Sequence, residues 1–473
     1  MNELNRKNAL AKLVEELDRL HLKAQSDDGL KEREAGAFDF VTARNGRQRH
    51  FNSAAKRALL ALALAWQKEV PRLSIRVEIK ELVTLLRQTV ADFHADGKLI
   101  EDASKNLQAI DDYIQQILKQ TTTDFTHSFP ARTAEMECVE PFVIGPVTIM
   151  TRKQWLDTVD FSSQSKQDTL DGEKANQDWK TALLSELSRR KESATPNYEP
   201  MPSLAALMYS PLKTGRSILR VKLSGYERSL SSKAARHICK TALDGLSLIL
   251  GGKAHFHIQA LADERMVPVS THTIIEQDGF LLTPGFGLTP QIPFLTGHGV
   301  KKELDREGAR KARAALANIL DGLVSPNSHP HPLLTMRWAT ALDWLAEGTR
   351  EINEAIALAK IGTSLDVLTE GGKFGKILDM LTHLTGWTEE KEFQVGPYPR
   401  SLRWLVKELY DHGRSKILHG NVFDRLQSFA EIRSVGEDLA RIALIQCALR
   451  LHHYEGKDGH TVFRDIPAPA PPN

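Results

Sequence analysis

An arginine and a histidine near the end of the chain have a spacing that suits chemistry on a phosphodiester. The stretch LVKELYDHGRSKILHGN covers residues 405–421, and four residues separate Arg414 from His419 in it. Histidine, with an unperturbed pKa of about 6.5, can accept or donate a proton near neutral pH. A guanidinium stabilises the negative charge of a phosphorane-like transition state through two parallel hydrogen bonds. Metal-independent cleavage of RNA requires such a base, such an acid and such a cation.

Polar and aromatic residues accompany this pair. We expect Ser415 to hydrogen-bond a phosphate oxygen or to orient His419, with Lys416 and Asn421 as supporting residues. Tyr410 could stack a base of the RNA. Gly413 weakens a helix by up to about 1 kcal/mol relative to alanine. The motif is therefore expected either to start a new turn or to be loosely held.

Basic residues are concentrated in the same stretch. Five of them lie within 17 positions, interrupted only by Glu408 and Asp411: Arg400, Arg403, Lys407, Arg414 and Lys416. This cluster supports a local contact with RNA, and Trp404 could stack a base beside it. In the alternative interpretation, the charged residues form a solvated helix face and Trp404 lies in the core. For Trp404 the sequence favours this alternative.

The string RSKILHG, following LYD, resembles the Arg-x4-6-His motif of HEPN domains, and in particular their Apea-like branch. The segment WATALDWLAEGTREINEAIALAKIGTSLDVL (338–368) is similar to the leading helices of that branch. Asp366 stands in it where an acidic residue is usual. The resemblance covers about residues 336–455.

The resemblance implies a metal-independent endoribonuclease that leaves a 2′,3′-cyclic phosphate and a 5′-hydroxyl. It also implies a homodimer, in which two Arg414 and two His419 share one cleft. A toxin-like effector of antiphage defence by abortive infection is the implied role, cutting tRNA or mRNA after a phage-derived trigger. No cofactor and no metal are expected. The alternative is a non-catalytic HEPN module that binds RNA or a protein, with Arg414 paired to Asp366 or Asp411.

Composition limits the remaining possibilities. The chain has 473 residues, enough for two or three domains, and a net charge of +2 that excludes a generally basic nucleic-acid coat. Three separated cysteines argue against a zinc ribbon or a disulfide framework. The charged N-terminus is unlike a signal peptide, and the apolar stretch 58–66 is too short to span a membrane. We expect a soluble, cytoplasmic protein.

The predicted fold is multidomain and mostly α. Hydrophobic periodicity predicts a helical N-terminal region over residues 1–125, a region that could alternatively be a dimerising scaffold. Strand-like segments bounded by Gly and Pro predict an α+β middle domain over 126–330, with a sensing or regulatory role. The linker 325–334 precedes a HEPN-type helical bundle over 336–455, and 456–473 is predicted to be a flexible tail.

Individual elements are also predicted. Asn52 or Ser53 should cap a helix that Pro71 ends, and one helix should run from about Met336 to Ala359. The segments 142–150, 217–223, 254–261 and 279–286 have strand character. His255 and His257 would then share one face of a strand, where packing is favoured over metal binding.

Overall fold

The structure is a computed structural model that describes residues 5–21, 39–70, 76–188, 201–264, 266, 268, 270–283, 285–288, 297–417 and 427–469. It is mostly helical, with a small sheet region in the middle of the chain, as the sequence predicts. Within the described residues, no helix combines the length and the apolar composition that crossing a bilayer requires.

The helices have the following bounds: α1 Arg6–His21, α2 Ser53–Glu69, α3 Ile79–Ala95, α4 Ala103–Thr121, α5 Arg152–Leu156, α6 Ser163–Gln167, α7 Gly172–Ala175, α8 Trp179–Ser188, α9 Ser203–Leu212, α10 Arg228–Leu250, α11 Lys253–Ile258, α12 His298–Leu304, α13 Glu307–Val324, α14 Pro332–Arg350, α15 Glu354–Thr369, α16 Lys373–Thr385, α17 Leu402–Lys407 and α18 Ala430–His452. A π-helix covers Glu408–Lys416, and a short 3-10 helix covers Val462–Arg464.

The strands have the following bounds: β1 Phe40–Thr42, β2 Gln48–His50, β3 Thr123–Arg132, β4 Phe142–Ile144, β5 Val147–Thr151, β6 Ser217–Tyr226, β7 Ala260–Leu261, β8 Ser270–Thr273, β9 Glu276–Gln277, β10 Phe280–Leu281, β11 Gly285–Leu288, β12 Glu392–Val395 and β13 Tyr398–Ser401. Five of them form one sheet in the order β4-β5-β6-β3-β7, and the others pair as two-stranded hairpins.

Two compact units divide the chain. The first comprises Met1–Thr126 and Lys222–Ala234, and the second comprises His127–Val221 and Ala235–Asn473. Both sides of the predicted boundary at 330–336 lie in the second unit, so the compact units do not part there. The reason is packing, because α13 buries its apolar face against α14 and α18.

The first unit is built on four amphipathic helices. Leu10, Leu13 and Leu17 of α1 and Trp66 of α2 are fully buried in one apolar core. The predicted start of α2 is confirmed, because the Asn52 side chain accepts a hydrogen bond from the Ala55 amide at 2.9 Å. A short hairpin, β1–β2, precedes this helix in the region that the sequence predicts to be helical.

The strand predictions are confirmed for 142–150 and 217–223. β4 and β5 form an antiparallel hairpin, and β5 pairs with β6 from Val147 opposite Val221 to Thr151 opposite Ser217. The prediction for 254–261 is wrong over most of its length, because residues 253–258 form helix α11. His257 packs on α14 there, with a ring nitrogen 3.1 Å from the Thr349 carbonyl oxygen.

The long helix predicted from Met336 to Ala359 is divided in two. α14 ends at Arg350, and the Asn353 side chain caps α15 by accepting a hydrogen bond from the Ile356 amide at 3.1 Å. An asparagine competes for backbone amides in this way, and it begins a new helix instead of continuing the old one.

The predicted flexible tail is packed over its described part, residues 456–469. Phe463 and Ile466 are fully buried. Arg450 donates a hydrogen bond to the Ile466 carbonyl at 2.7 Å, and the Asp458 carboxylate accepts bonds from the first amides of α14. Proline-rich composition alone therefore did not identify a mobile segment, because two apolar side chains anchor this one.

Candidate functional site

A continuous helical segment carries most of the predicted site. α17 is capped by the Ser401 side chain and continues directly into the π-helix, which contains Tyr410, Arg414, Ser415 and Lys416. π-Helical turns are rare and occur frequently at functional sites, because the wider turn changes where side chains point. Gly413 lies inside this continuous segment, so the motif does not start a new turn there, which was one of the two expectations from the sequence.

Two glycines bring the π-helix close to α15. A Cβ atom on Gly362 would lie 2.7 Å from the backbone oxygen of Leu409, and one on Gly413 would lie 2.9 Å from Cγ of Leu358. Since real Cβ atoms do not approach backbone oxygens so closely, only glycine permits this separation of the two helices. The close approach places Arg414 beside α15.

Arg414 is held by two of the predicted site residues. Its Nη2 lies 3.0 Å from Oδ2 of Asp366, and its Nη1 donates a hydrogen bond of 3.3 Å to the Tyr410 hydroxyl. The guanidinium carbon also lies 5.4 Å from the centre of the Tyr410 ring, a cation–π distance. These contacts fix both the position and the plane of the guanidinium.

The two charges of the pair differ in exposure. The Arg414 side chain is 31% exposed, whereas that of Asp366 is only 9% exposed. Burial raises the pKa of the Asp366 carboxyl above its ordinary value, and the Arg414 charge opposes part of that rise. Part of the Arg414 side chain is therefore accessible to solvent, while the buried Asp366 carboxylate binds its guanidinium.

Two buried polar atoms of this pair lack a hydrogen-bond partner within the described part of the chain. They are Nε of Arg414 and Oδ1 of Asp366. Buried polar atoms are nearly always satisfied, so an unpaired donor beside an unpaired acceptor calls for a physical explanation. Both atoms belong to the ion pair itself, whose other atoms, Nη2 of Arg414 and Oδ2 of Asp366, lie 3.0 Å apart.

The structure brings together Arg414, Asp366 and Tyr410 among the predicted site residues. Lys416 is exposed, and Ser415 is partly exposed on the same π-helix. His419 and Asn421 lie outside the described residues. Of the two acidic partners that the alternative reading offered Arg414, Asp366 is the one that forms the ion pair.

The sequence reasoning missed Gly362. Its signal was a glycine one turn before Asp366, and the structure shows that it lies in the interior of helix α15, where helix propensity disfavours glycine. No group of three or more His, Cys, Asp or Glu side chains among the described residues is arranged to hold a metal ion.

Comparisons of the chain with models of known protein families, with curated proteins and with solved structures give no significant match. The resemblance of residues 336–455 to HEPN domains therefore rests on the residues that carry it.

Proposed function

We propose that this chain is a metal-independent endoribonuclease of the HEPN type, with Arg414 and His419 as its catalytic residues. One observation carries the proposal. The Arg414 guanidinium is oriented by Asp366 and Tyr410, retains an exposed edge, and stands five positions before a histidine. An oriented, partly desolvated guanidinium costs little reorganisation when charge develops on a phosphate beside it.

The contacts of Arg414 leave room for a phosphate. The ion pair with Asp366 engages Nη2, whereas the bond from Nη1 to Tyr410 is 3.3 Å long, beyond the usual range for a strong N–H···O bond. A phosphate oxygen can replace the phenolic oxygen as the acceptor at little cost. Tyr410 would then be free to contact the nucleotide.

His419 supplies the proton transfers in this proposal. One imidazole removes the proton of the 2′-hydroxyl, and a second protonates the leaving 5′-oxygen, which yields a 2′,3′-cyclic phosphate and a 5′-hydroxyl. A single chain provides one such histidine in the motif, so we propose that two chains meet and form one cleft. Ser415, Lys416 and Asn421 would support the phosphate and the histidine.

The HEPN resemblance also supports a biological role. We propose a cytoplasmic effector of antiphage defence that cuts tRNA or mRNA during abortive infection. Residues 1–335 would sense a phage-derived trigger or hold the dimer. The nuclease would stay restrained until that trigger appears, because an unrestrained ribonuclease harms its own cell.

Cleavage of a labelled RNA in the presence of EDTA tests the catalytic proposal. His419→Ala should reduce the rate by about 100-fold or more, as expected for loss of a general acid–base group. Arg414→Lys, which keeps a positive charge beside Asp366 but lacks the guanidinium fork, should reduce it by a similar factor. His453→Ala removes an exposed histidine elsewhere and should leave the rate unchanged. Cleavage that requires a divalent ion would refute the mechanism.

The ion pair of Arg414 with Asp366 favours a second candidate, a non-catalytic HEPN module that binds RNA or a protein. In that case the arginine serves to hold two helices together. RNA binding without cleavage by the wild-type protein, unaffected by His419→Ala, would decide for this candidate.

A further inference from the structure

An exposed arginine lies between two aromatic rings on the surface of the second unit. The guanidinium carbon of Arg400 is 5.6 Å from the ring centre of Tyr398 and 4.8 Å from that of Trp404. Tyr398 is 61% exposed. The sequence favoured a position in the core for Trp404, but its side chain is partly exposed. We call Tyr398, Arg400 and Trp404 the aromatic–arginine stack.

The local fold holds these three side chains in place. The hairpin of β12 and β13 turns at Gly396, whose φ of 57° favours glycine, and it pairs Phe393 with Arg400. The ring of Trp387 packs edge-on against Phe393 at 5.2 Å. Trp404 follows at once, because the Ser401 cap begins α17 directly after β13. Regular backbone structure therefore holds the three residues of the stack, and the Tyr398 ring is exposed.

The charge of Arg400 is not compensated within the described residues. Arg400 forms no ion pair there, whereas its neighbour Arg403 is neutralised by Glu389. Glu390 and Glu392, on the same hairpin segment, make no ion pair with Arg400 either. Lys407 and Lys416 further along the same helical segment are also exposed and without a described ion pair. An arginine in this position is available to an anion.

We propose that the aromatic–arginine stack binds single-stranded RNA, an inference that rests on the proposed ribonuclease function. An unpaired base would stack on the exposed ring of Tyr398 or Trp404, while Arg400 contacts the adjoining phosphate. A duplex cannot use such a platform, because its base faces are covered by their neighbours. The substrate would thus be a loop or an unpaired end.

The stack and Arg414 lie on one continuous helical segment, and in this proposal they bind the same RNA molecule. Trp404 and Arg414 are ten positions apart, which is at most about 15 Å along the axis, because a π-helix rises less per residue than an α-helix. Stacked nucleotides repeat every 3.4 Å or so along a strand, so about four nucleotides cover this length. The stack would hold the RNA a few nucleotides from the cleaved bond.

Binding of a fluorescent 2′-O-methyl oligonucleotide tests the proposal apart from cleavage, because this strand lacks the reactive hydroxyl. Tyr398→Ala should weaken binding by about 5-fold to 100-fold, the usual range for losing one stacked base, with no change in salt dependence. Arg400→Ala should weaken binding and also lower the slope of log K against log salt by about 0.7. Arg400→Lys should restore the slope but not the full affinity.

Arg310→Ala is the matched control, since it removes an exposed arginine without a described ion pair from α13. It should leave affinity unchanged. Wild-type affinity in Tyr398→Ala and Arg400→Ala, equal binding of a duplex, no binding of the strand, or stack-dependent binding of an acidic peptide in its place would each overturn the proposal. Intact, stack-dependent binding without any cleavage would refute only the ribonuclease function.

Discussion

The ion pair of Arg414 and Asp366 is asymmetric, and this asymmetry leads to a prediction about stability. Arg414→Ala leaves the buried Asp366 carboxylate without its counter-charge, which should cost about 1–3 kcal/mol of unfolding free energy. Asp366→Asn leaves an arginine that is partly exposed to solvent and removes a carboxylate that burial disfavours. We therefore expect it to change stability by less than about 1 kcal/mol. Urea unfolding at pH 7 measures both.

The pH dependence of the two variants provides the control. The pKa of Asp366 is raised already, and removing the arginine raises it further. The unfolding free energy that Arg414→Ala loses relative to the wild type should therefore become smaller as the pH falls and the carboxyl becomes protonated. If Arg414→Ala and Asp366→Asn lost the same unfolding free energy at every pH, packing and not charge would explain how the pair contributes to stability.

His94 in the first unit gives a second prediction at this scale. Its Nδ1 accepts a hydrogen bond from Nε of Arg49 at 2.7 Å, and its Nε2 lies 3.0 Å from Asp18. Burial and the adjacent Arg49 charge lower the pKa of His94, although Asp18 opposes them. The rings of His21 and His50 lie nearby, and His50 stacks on His21.

The folded state therefore disfavours the protonated form of His94. Its contribution to stability is present above the unfolded pKa of about 6.5 and is lost as the pH falls toward the lower folded value. The wild-type protein should lose more unfolding free energy between pH 7.5 and pH 5.5 than His94→Gln, which cannot titrate. His453→Gln, at an exposed position, should behave as the wild type. The same loss in all three proteins would contradict the assignment.

At the scale of elements, the packing of α15 against the π-helix depends on Gly362. An added methyl group at this position meets the backbone oxygen of Leu409, which cannot move as a side chain can. Gly362→Ala should therefore reduce the unfolding free energy by about 1–3 kcal/mol. It should also slow RNA cleavage, because the shift displaces Arg414 from Asp366. Urea unfolding and the EDTA cleavage assay measure the two effects.

Gly375 in α16 is the matched control for this substitution. No atom lies within 4 Å of a Cβ added there. Gly375→Ala should stabilise the protein by up to about 1 kcal/mol through helix propensity, with cleavage unchanged. Destabilisation of similar size at both positions would show that the close approach at Gly362 is not the cause.

Local signals made some of these elements predictable from the sequence. The Asn52 cap gave the start of α2, and strand character over 142–150 gave β4 and β5, although it did not show that the chain turns between them at 145–146. The strand prediction for 254–261, which includes His255 and His257, was wrong over most of its length. A buried helix and a strand of only six residues have similar hydrophobic patterns. The π-helix was not predicted, because a short stretch of hydrophobic pattern does not distinguish its wider turns from those of an α-helix.

The site was predictable in its residue types but not in its geometry. The acid in the preceding helix and the arginine of the motif were both identified, and Asp366 was one of two partners considered for Arg414. Their contact joins positions 48 residues apart. It is determined by helix packing, which periodicity does not specify. The sequence analysis favoured the core for Trp404, whereas its side chain is partly exposed and contacts Arg400.

At the scale of the whole molecule, the chemistry determines how many chains are required. The string RSKILHG occurs once in the chain, yet transesterification needs a base and an acid on opposite sides of the phosphate. If each chain supplies one histidine, the initial cleavage rate should rise with the square of chain concentration at high dilution. It should become linear once every chain of 52.9 kDa is paired.

Mixing of chains tests this dependence directly. Excess His419→Ala protein, added to wild-type protein at saturating RNA, should convert active pairs into mixed pairs that lack one imidazole. The rate should therefore fall as the share of wild-type pairs falls, while the same excess of a protein that does not pair with this chain should have no effect. A rate that stays constant on addition of the His419→Ala chain would mean that one chain cuts alone. The second proton transfer would then have to come from another group beside Arg414, such as Tyr410.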